Sequence, residues 1–181
     1  SNLDLNFYVM KFFLFILFFL NFSEVKSVEV LKSWSELERR GDTFFKKETN
    51  KPFTGILKNF FSDGKLSLVD NFKNGKQHGE YTSYHPNGKI LLSGNFENGK
   101  QHGIWTEYHE DGSVYWKLRY INGVTEDGIF RMYYPDGSVE SEVTYGNGKP
   151  ITNWVYFDKN GKKDRVKIYE NGTFIYEKYI K

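Results

Sequence analysis

The six residues NGKQHG occupy Asn74–Gly79 and recur at Asn98–Gly103. Both copies belong to a wider ladder. Gly64, Gly88, Gly112, Gly137 and Gly161 each follow Asp or Asn, at spacings of 24, 24, 25 and 24. Gly75, Gly99, Gly123, Gly148 and Gly172 each follow Asn, at the same spacings. A third series runs Gly55, Gly79, Gly103 and Gly128, with Thr152 at the fifth place. The three series absorb 14 of the 17 glycines, so the chain is an array of repeats.

Side chains keep the same period. Leu57, Tyr81, Trp105, Phe130 and Trp154 stand seven residues before the first glycine series, and Phe60, Tyr84, Tyr108, Tyr133 and Phe157 stand four before it. Phe72, Phe96, Tyr120, Tyr145 and Tyr169 stand eight after it. A fourth column, Leu66, Ile90, Val114 and Val139, ends at Lys163. Asn-Gly and Asp-Gly accept positive φ and suit hairpin turns, and two such turns per repeat bracket two strands. After the first turn, Ile90, Leu92 and Phe96 alternate with polar residues, which predicts a strand with one buried face. Before that turn the aromatics are three apart, as in Trp105 and Tyr108. Either a bulge intervenes or the strand shows an aromatic on each side. The expectation is an all-β fold: an elongated antiparallel meander of about five stacked hairpins of 24–25 residues.

The unit resembles the variant MORN-repeat family, roughly NGKxHGxWxxYxxNGxxxxxxxYxNGK. Residues 74–100 and 98–124 follow it closely, and the likeness runs from Lys51 to Gly172. Members are often labelled YwqK-type antitoxins, which implies binding of a protein partner. Related MORN repeats act as scaffolds near membranes and sometimes contact lipid. The end repeats depart from the unit: Leu57 replaces Trp or Tyr, Thr152 replaces glycine, and Lys163, Arg165 and Lys167 replace apolar residues. Atypical ends are what capping requires. The expected organisation is a signal region over 1–27, a capping segment over 28–50, the array over 51–172 and a capping strand over 173–181. Within the cap, residues 30–40 read as a strand or a short helix, 40–42 as a turn and 43–47 as a strand. This piece is expected to cover the open edge of the array.

Composition agrees with the pattern. Among 181 residues there is no Ala, and aromatics make up 19%, which favours pleated strands over helices. The net charge of +2 argues against a nucleic-acid binder. With no Cys, disulfides, thiolate metal sites and Cys nucleophiles are excluded. Met10-Lys11 precedes an apolar run, Phe12 to Phe22, that is short for a membrane span. It reads as a secretory signal with its true start at Met10 and cleavage after Ser27, and an uncleaved anchor is the alternative. Export to the periplasm, cell surface or medium is therefore expected.

Candidates for chemistry are few. His78 and His102 share one repeat position, and His85 and His109 another. Equivalent positions two strands apart lie about 9.6 Å from each other, too far to share a metal. Glu110-Asp111 and Glu126-Asp127 lie in turns with no implied facing carboxylate. No catalytic residue, metal site or cofactor is expected. The aromatic columns are the expected functional surface, with Tyr81, Tyr84, Trp105, Tyr108 and Tyr133 as partner-binding residues. Lys159, Lys162, Lys163, Arg165 and Lys167 form a basic tail for anionic lipid or an acidic partner. Asn171-Gly172-Thr173 matches a glycosylation acceptor. The reading is an exported, non-enzymatic interaction or scaffold module. An antitoxin-like inhibitor of a co-expressed toxin and a lipid-binding scaffold are the alternatives.

Overall fold

A computed structural model describes residues 27–170 and 172–180; the apolar run at 12–22 and the acceptor Asn171 lie outside them. Local structure follows from the two glycine series, which make different turns. Asn74, Asn98, Asn122 and Asn147 sit at φ of 51–52°, each followed by a glycine at φ of 72–82°. Two consecutive left-handed residues are the type I′ pattern that matches strand twist. The other series closes three-residue loops. Around Gly88, the His85 N–H donates to Lys89 O at 2.8 Å and the Gly88 N–H to His85 O at 2.9 Å. The same pair of bonds recurs at Gly64, Gly112, Gly137 and Gly161.

Between these turns run the strands of five hairpins: β5 (Gly55–Phe60) with β6 (Leu66–Lys73), β7 (Lys76–Tyr84) with β8 (Ile90–Glu97), β9 (Lys100–Tyr108) with β10 (Val114–Ile121), β12 (Gly128–Tyr133) with β13 (Val139–Gly146), and β15 (Trp154–Phe157) with β16 (Lys163–Glu170). β17 (Thr173–Tyr179) pairs with β16, and the short β11 (Val124–Thr125) and β14 (Lys149–Pro150) pair with β10 and β13. With one further strand they form, among the described residues, one open sheet of 14 strands whose hairpins follow in chain order. It is antiparallel except at its start, where β1 (Val30–Leu31) runs parallel to β5.

The ladder corrects the simple alternation. Ser83 pairs with Leu92 but Tyr84 with Ile90, so Leu91 is an extra residue on the second strand. The same shift isolates Ser67, Tyr115, Glu140 and Asp164, always three residues after the turn glycine. A bulge turns the residues on its two sides to opposite faces. Ile90 therefore leaves the face that holds Leu92 and Phe96 and joins Tyr84. Both options for the preceding strand hold together: a bulge is present, on the partner strand, and aromatics stand on both faces.

One face is the core face. Leu57, Phe72, Trp105, Phe130 and Val143 are buried there. Its rings touch in series, with centroids 5.4 Å apart for Tyr81 and Trp105, 4.9 Å for Phe96 and Trp105, and 5.7 Å for Phe130 and Trp154. Gly94 lies beneath the Trp105 ring, and a Cβ there would collide with the indole. This gives a packing reason for a glycine outside the three ladders.

The N-terminal part covers the sheet at one end. Residues 30–40 are neither one strand nor one helix. β1 leads to a single 3-10 turn (Trp34–Glu36), capped by Ser33 and Glu36, and then to β2 (Leu37–Arg40). β2 pairs with β3 (Thr43–Lys46) and β3 with β4 (Lys51–Pro52), a separate three-stranded sheet. The small sheet thus reaches to Pro52, past the segment expected to form the cap. Leu31, Leu37, Phe53, Leu57 and Phe72 form the core cluster at this end, with Phe44 packed on it. The cover is double: β1 lines the edge of β5, while Trp34 and Phe44 lie on the face beside Phe72.

The 25-residue repeat has its extra residue between Gly123 and Gly128, where the other repeats have four-residue spacing. There the pairing thins. β10 meets β11 through two pairs and β12 through one, Trp116 with Met132, whereas β8 meets the single strand β9 through five. An Arg119–Glu126 ion pair of 3.3 Å spans the gap.

Candidate interaction face

The face opposite the core carries the second aromatic row. The ladder sets Tyr84 beside Ile90, Tyr108 beside Val114 and Tyr133 beside Val139. Alternation adds Ile104 and Ile129, which are 52% and 61% exposed, while Tyr84, Tyr108 and Tyr133 are half-buried. Near the C-terminal end this open face forms a cleft of about 590 Å³. It is lined by Tyr133, Val139, Phe157, Gly161 and the pair Arg131–Glu142, whose Nε–Oε2 distance is 3.2 Å.

The five expected contact residues divide between the faces. Tyr84, Tyr108 and Tyr133 lie together on the open face. Trp105 does not: it is 1% exposed, and its indole N–H donates to Asn95 O at 3.1 Å. It is a core residue, and no partner reaches it in this fold. Tyr81 stands with it on the core face, half-buried against Phe96 and Trp105. Burial pushes the Tyr81 hydroxyl above its usual pKa. The bulges decide who shares the row. The signal in the sequence was the fixed position three after each turn glycine, where no residue type is kept.

The histidines stitch repeats together. His85 Nε2 bonds Tyr108 O at 2.9 Å and His109 Nε2 bonds Tyr133 O at 2.7 Å, which requires an N–H at Nε2 in both. Tyr134 takes the same place in the next repeat, its hydroxyl donating to Phe157 O at 2.9 Å. Along the other margin, the Gly99 N–H donates to Gln77 O and the Gly123 N–H to Gln101 O, each at 2.8 Å. His78 Nδ1 faces the Asn98 N–H at 3.5 Å. NGKQHG is therefore a turn together with its bonds to the next turn. Among the described residues no three His, Asp or Glu side chains gather as a metal site would require.

The acidic pairs are held in similar work. Asp111 Oδ1 accepts from the Ser113 N–H and hydroxyl at 2.8 and 2.6 Å, and those bonds pull its pKa below the usual carboxylate range. Asp127 Oδ1 accepts from the Asn147 N–H at 2.7 Å, and Glu126 pairs with Arg119.

Turn chemistry, aromatic columns and stitched margins repeat with one spacing, and a family model for the MORN repeat variant matches residues 77–98, 101–122 and 126–147. Three consecutive repeats of the array thus match the MORN repeat variant. No curated protein matches the chain. The three matched MORN repeats cover β7 to β13 except for the margins of their turns; the hairpins at 55–73 and 154–170 lie outside the match and keep the same turns and bulges.

The basic residues beyond the matched MORN repeats do not form one patch. Lys159 and Lys162 are in a turn, and Lys163 pairs with Phe157 on the open face. Arg165 and Lys167 stand on the core face over the Tyr156 ring, at 4.3 and 5.3 Å. Arg165 is also bonded to Glu177 at 3.0 Å. Strand alternation splits a stretch that is continuous in sequence.

Proposed function

We propose that this chain is a non-enzymatic binding module that holds a protein partner against its open face. The observation that carries this reading is the row Tyr84, Tyr108 and Tyr133, flanked by exposed Ile90, Ile104 and Ile129. Tyrosines in an apolar setting anchor protein interfaces, and an apolar stripe of this length costs solubility unless it is covered. The MORN-variant repeats support a binding or scaffold role. The cleft between Tyr133 and Phe157 supplies a socket at one end of the row.

The test uses the full chain in its native cell. A photo-crosslinking residue replaces Tyr108 or Tyr133, and in separate chains it replaces Lys65 or Asn160 in the turns. Adducts from positions 108 and 133, lost when Ile104→Glu is added, support the reading. Adducts from the turns alone overturn it.

We also propose export, on the layout of residues 10–27. The N-terminal sequence and cell fraction of the native protein test it. A chain beginning near Val28 outside the cytoplasm is the expected result. A chain in the membrane fraction that keeps Phe12 to Phe22 makes the segment an anchor.

A further inference from the structure

Among the described residues, Asp70 is the one fully buried carboxylate in the core. It is 0% exposed on β6, with Leu57 opposite on one side and Tyr81 on the other. Oδ2 accepts from Gln77 Nε2 at 2.6 Å, while Oδ1 has no hydrogen-bond partner. The matching places in the next three repeats are Gly94, Leu118 and Val143, none with a charge, and in the last repeat Lys167. Leu57, its neighbour, belongs to the cluster that ties Leu31, Leu37 and Phe53 to the array. A carboxylate ion with one bond in such a place is poorly solvated, whereas a carboxylic acid is tolerated.

The groups around it do not compensate a negative charge. From β5 it faces Leu57, and from β7 Tyr81 and Gln77. Beyond Gln77 lies a cleft of about 200 Å³ lined by Arg39, Asp42, Phe44, Asn98 and Lys100. Asp42 there is paired with Lys76 at 3.0 Å, and Arg39 Nε donates to Gly41 O at 2.9 Å. Gln77 thus joins the carboxyl to a charged, wet mouth without bringing a cation to it. Burial raises the Asp70 pKa to about 7, against the smaller opposing effects of the Gln77 hydrogen bond and the adjacent Asn71 backbone N–H.

We propose that Asp70 is a proton-operated latch between the N-terminal cover and the repeat array. Protonated, it lets the rung Leu57–Asp70–Tyr81 close dry. When it loses its proton to water through the Gln77 cleft, the rung admits solvent and residues 27–73 loosen. Because the folded pKa is raised, the folded chain holds more protons than the unfolded one between about pH 4 and pH 7. The latch therefore contributes fully in acid and is lost as pH rises to about 7, above which stability levels off. One proton changes the opening constant by at most about tenfold per pH unit.

Hydrogen exchange and urea unfolding of the full chain between pH 5 and pH 8 test this, with intrinsic exchange rates divided out. The expected result is that the opening constant of β1, β5 and β6 rises several-fold per unit up to about pH 7. In Asp70→Asn the rise disappears while that of β15–β17 is unchanged. An equal slope in wild type and Asp70→Asn overturns the latch. Should Asp70→Asn fail to fold, the carboxyl carbon resonance of Asp70 in the wild type decides. A midpoint near 7 upholds the proposal, and one below about 5, near an ordinary carboxylate, ends it.

Discussion

Trp105 and Gly94 depend on each other. The indole lies where a side chain at 94 would stand, so Gly94→Ala must push a buried ring aside. Overpacking of this kind costs about 1–3 kcal/mol, and urea unfolding should show a loss in that range without a change of slope. Trp105→Ala should cost about 3–5 kcal/mol by leaving a cavity among Tyr81, Phe96 and Tyr120. Tyr108→Ala, from the other face, should cost far less stability and weaken partner capture. A Trp105 variant that folds but loses the partner while Tyr108→Ala keeps it would reverse the assignment of faces. His109→Phe removes the donor to Tyr133 O and should cost about 1 kcal/mol in the same assay.

At the scale of the element, the hairpins were legible because turn and strand obey short-range rules. Asn98-Gly99 needs positive φ at both positions, and the residue types show it. The pairing of faces was legible only in part. Phe96 and Tyr120 keep one face along an unbroken stretch of strand, and alternation finds them. Ile90 and Tyr84 meet across a bulge, which inserts one residue and leaves no preferred side chain behind at Leu91, Tyr115 or Glu140. Trp105 was misplaced for a related reason: sequence spacing cannot tell a column on the covered face from one on the open face. Asp70 escaped notice because a lone acid in a polar-looking strand resembles a solvated one. Deleting Leu91 tests the bulge directly. It should leave Ile90 on the open face beside Tyr84 and Leu92 on the core face, because the two become neighbours in a regular ladder, and hydrogen exchange should find the β7–β8 hairpin still protected.

Across the whole molecule, stability is shared between neighbours. Between consecutive hairpins of the array, the junction of β10 with β11 and β12, two pairs and one pair, is the thinnest. Hydrogen exchange should therefore divide the array near residues 122–128, with the C-terminal hairpins opening as a group below the free energy of global unfolding. The same neighbour rule bears on length. The paired Asn-Gly turns let a 24-residue unit be cut out between equivalent positions, but the two possible excisions are unequal. Removing 99–122 seats Phe130 above Gly94, where there is room. Removing 75–98 seats Trp105 above Asp70, where there is not. Circular dichroism should find the first shortened chain folded and the second largely unfolded. A repeat protein of this kind is thus less a string of identical beads than a sentence whose words must follow in order: copies can be gained or lost through DNA recombination only at boundaries where the next ring finds a vacant seat.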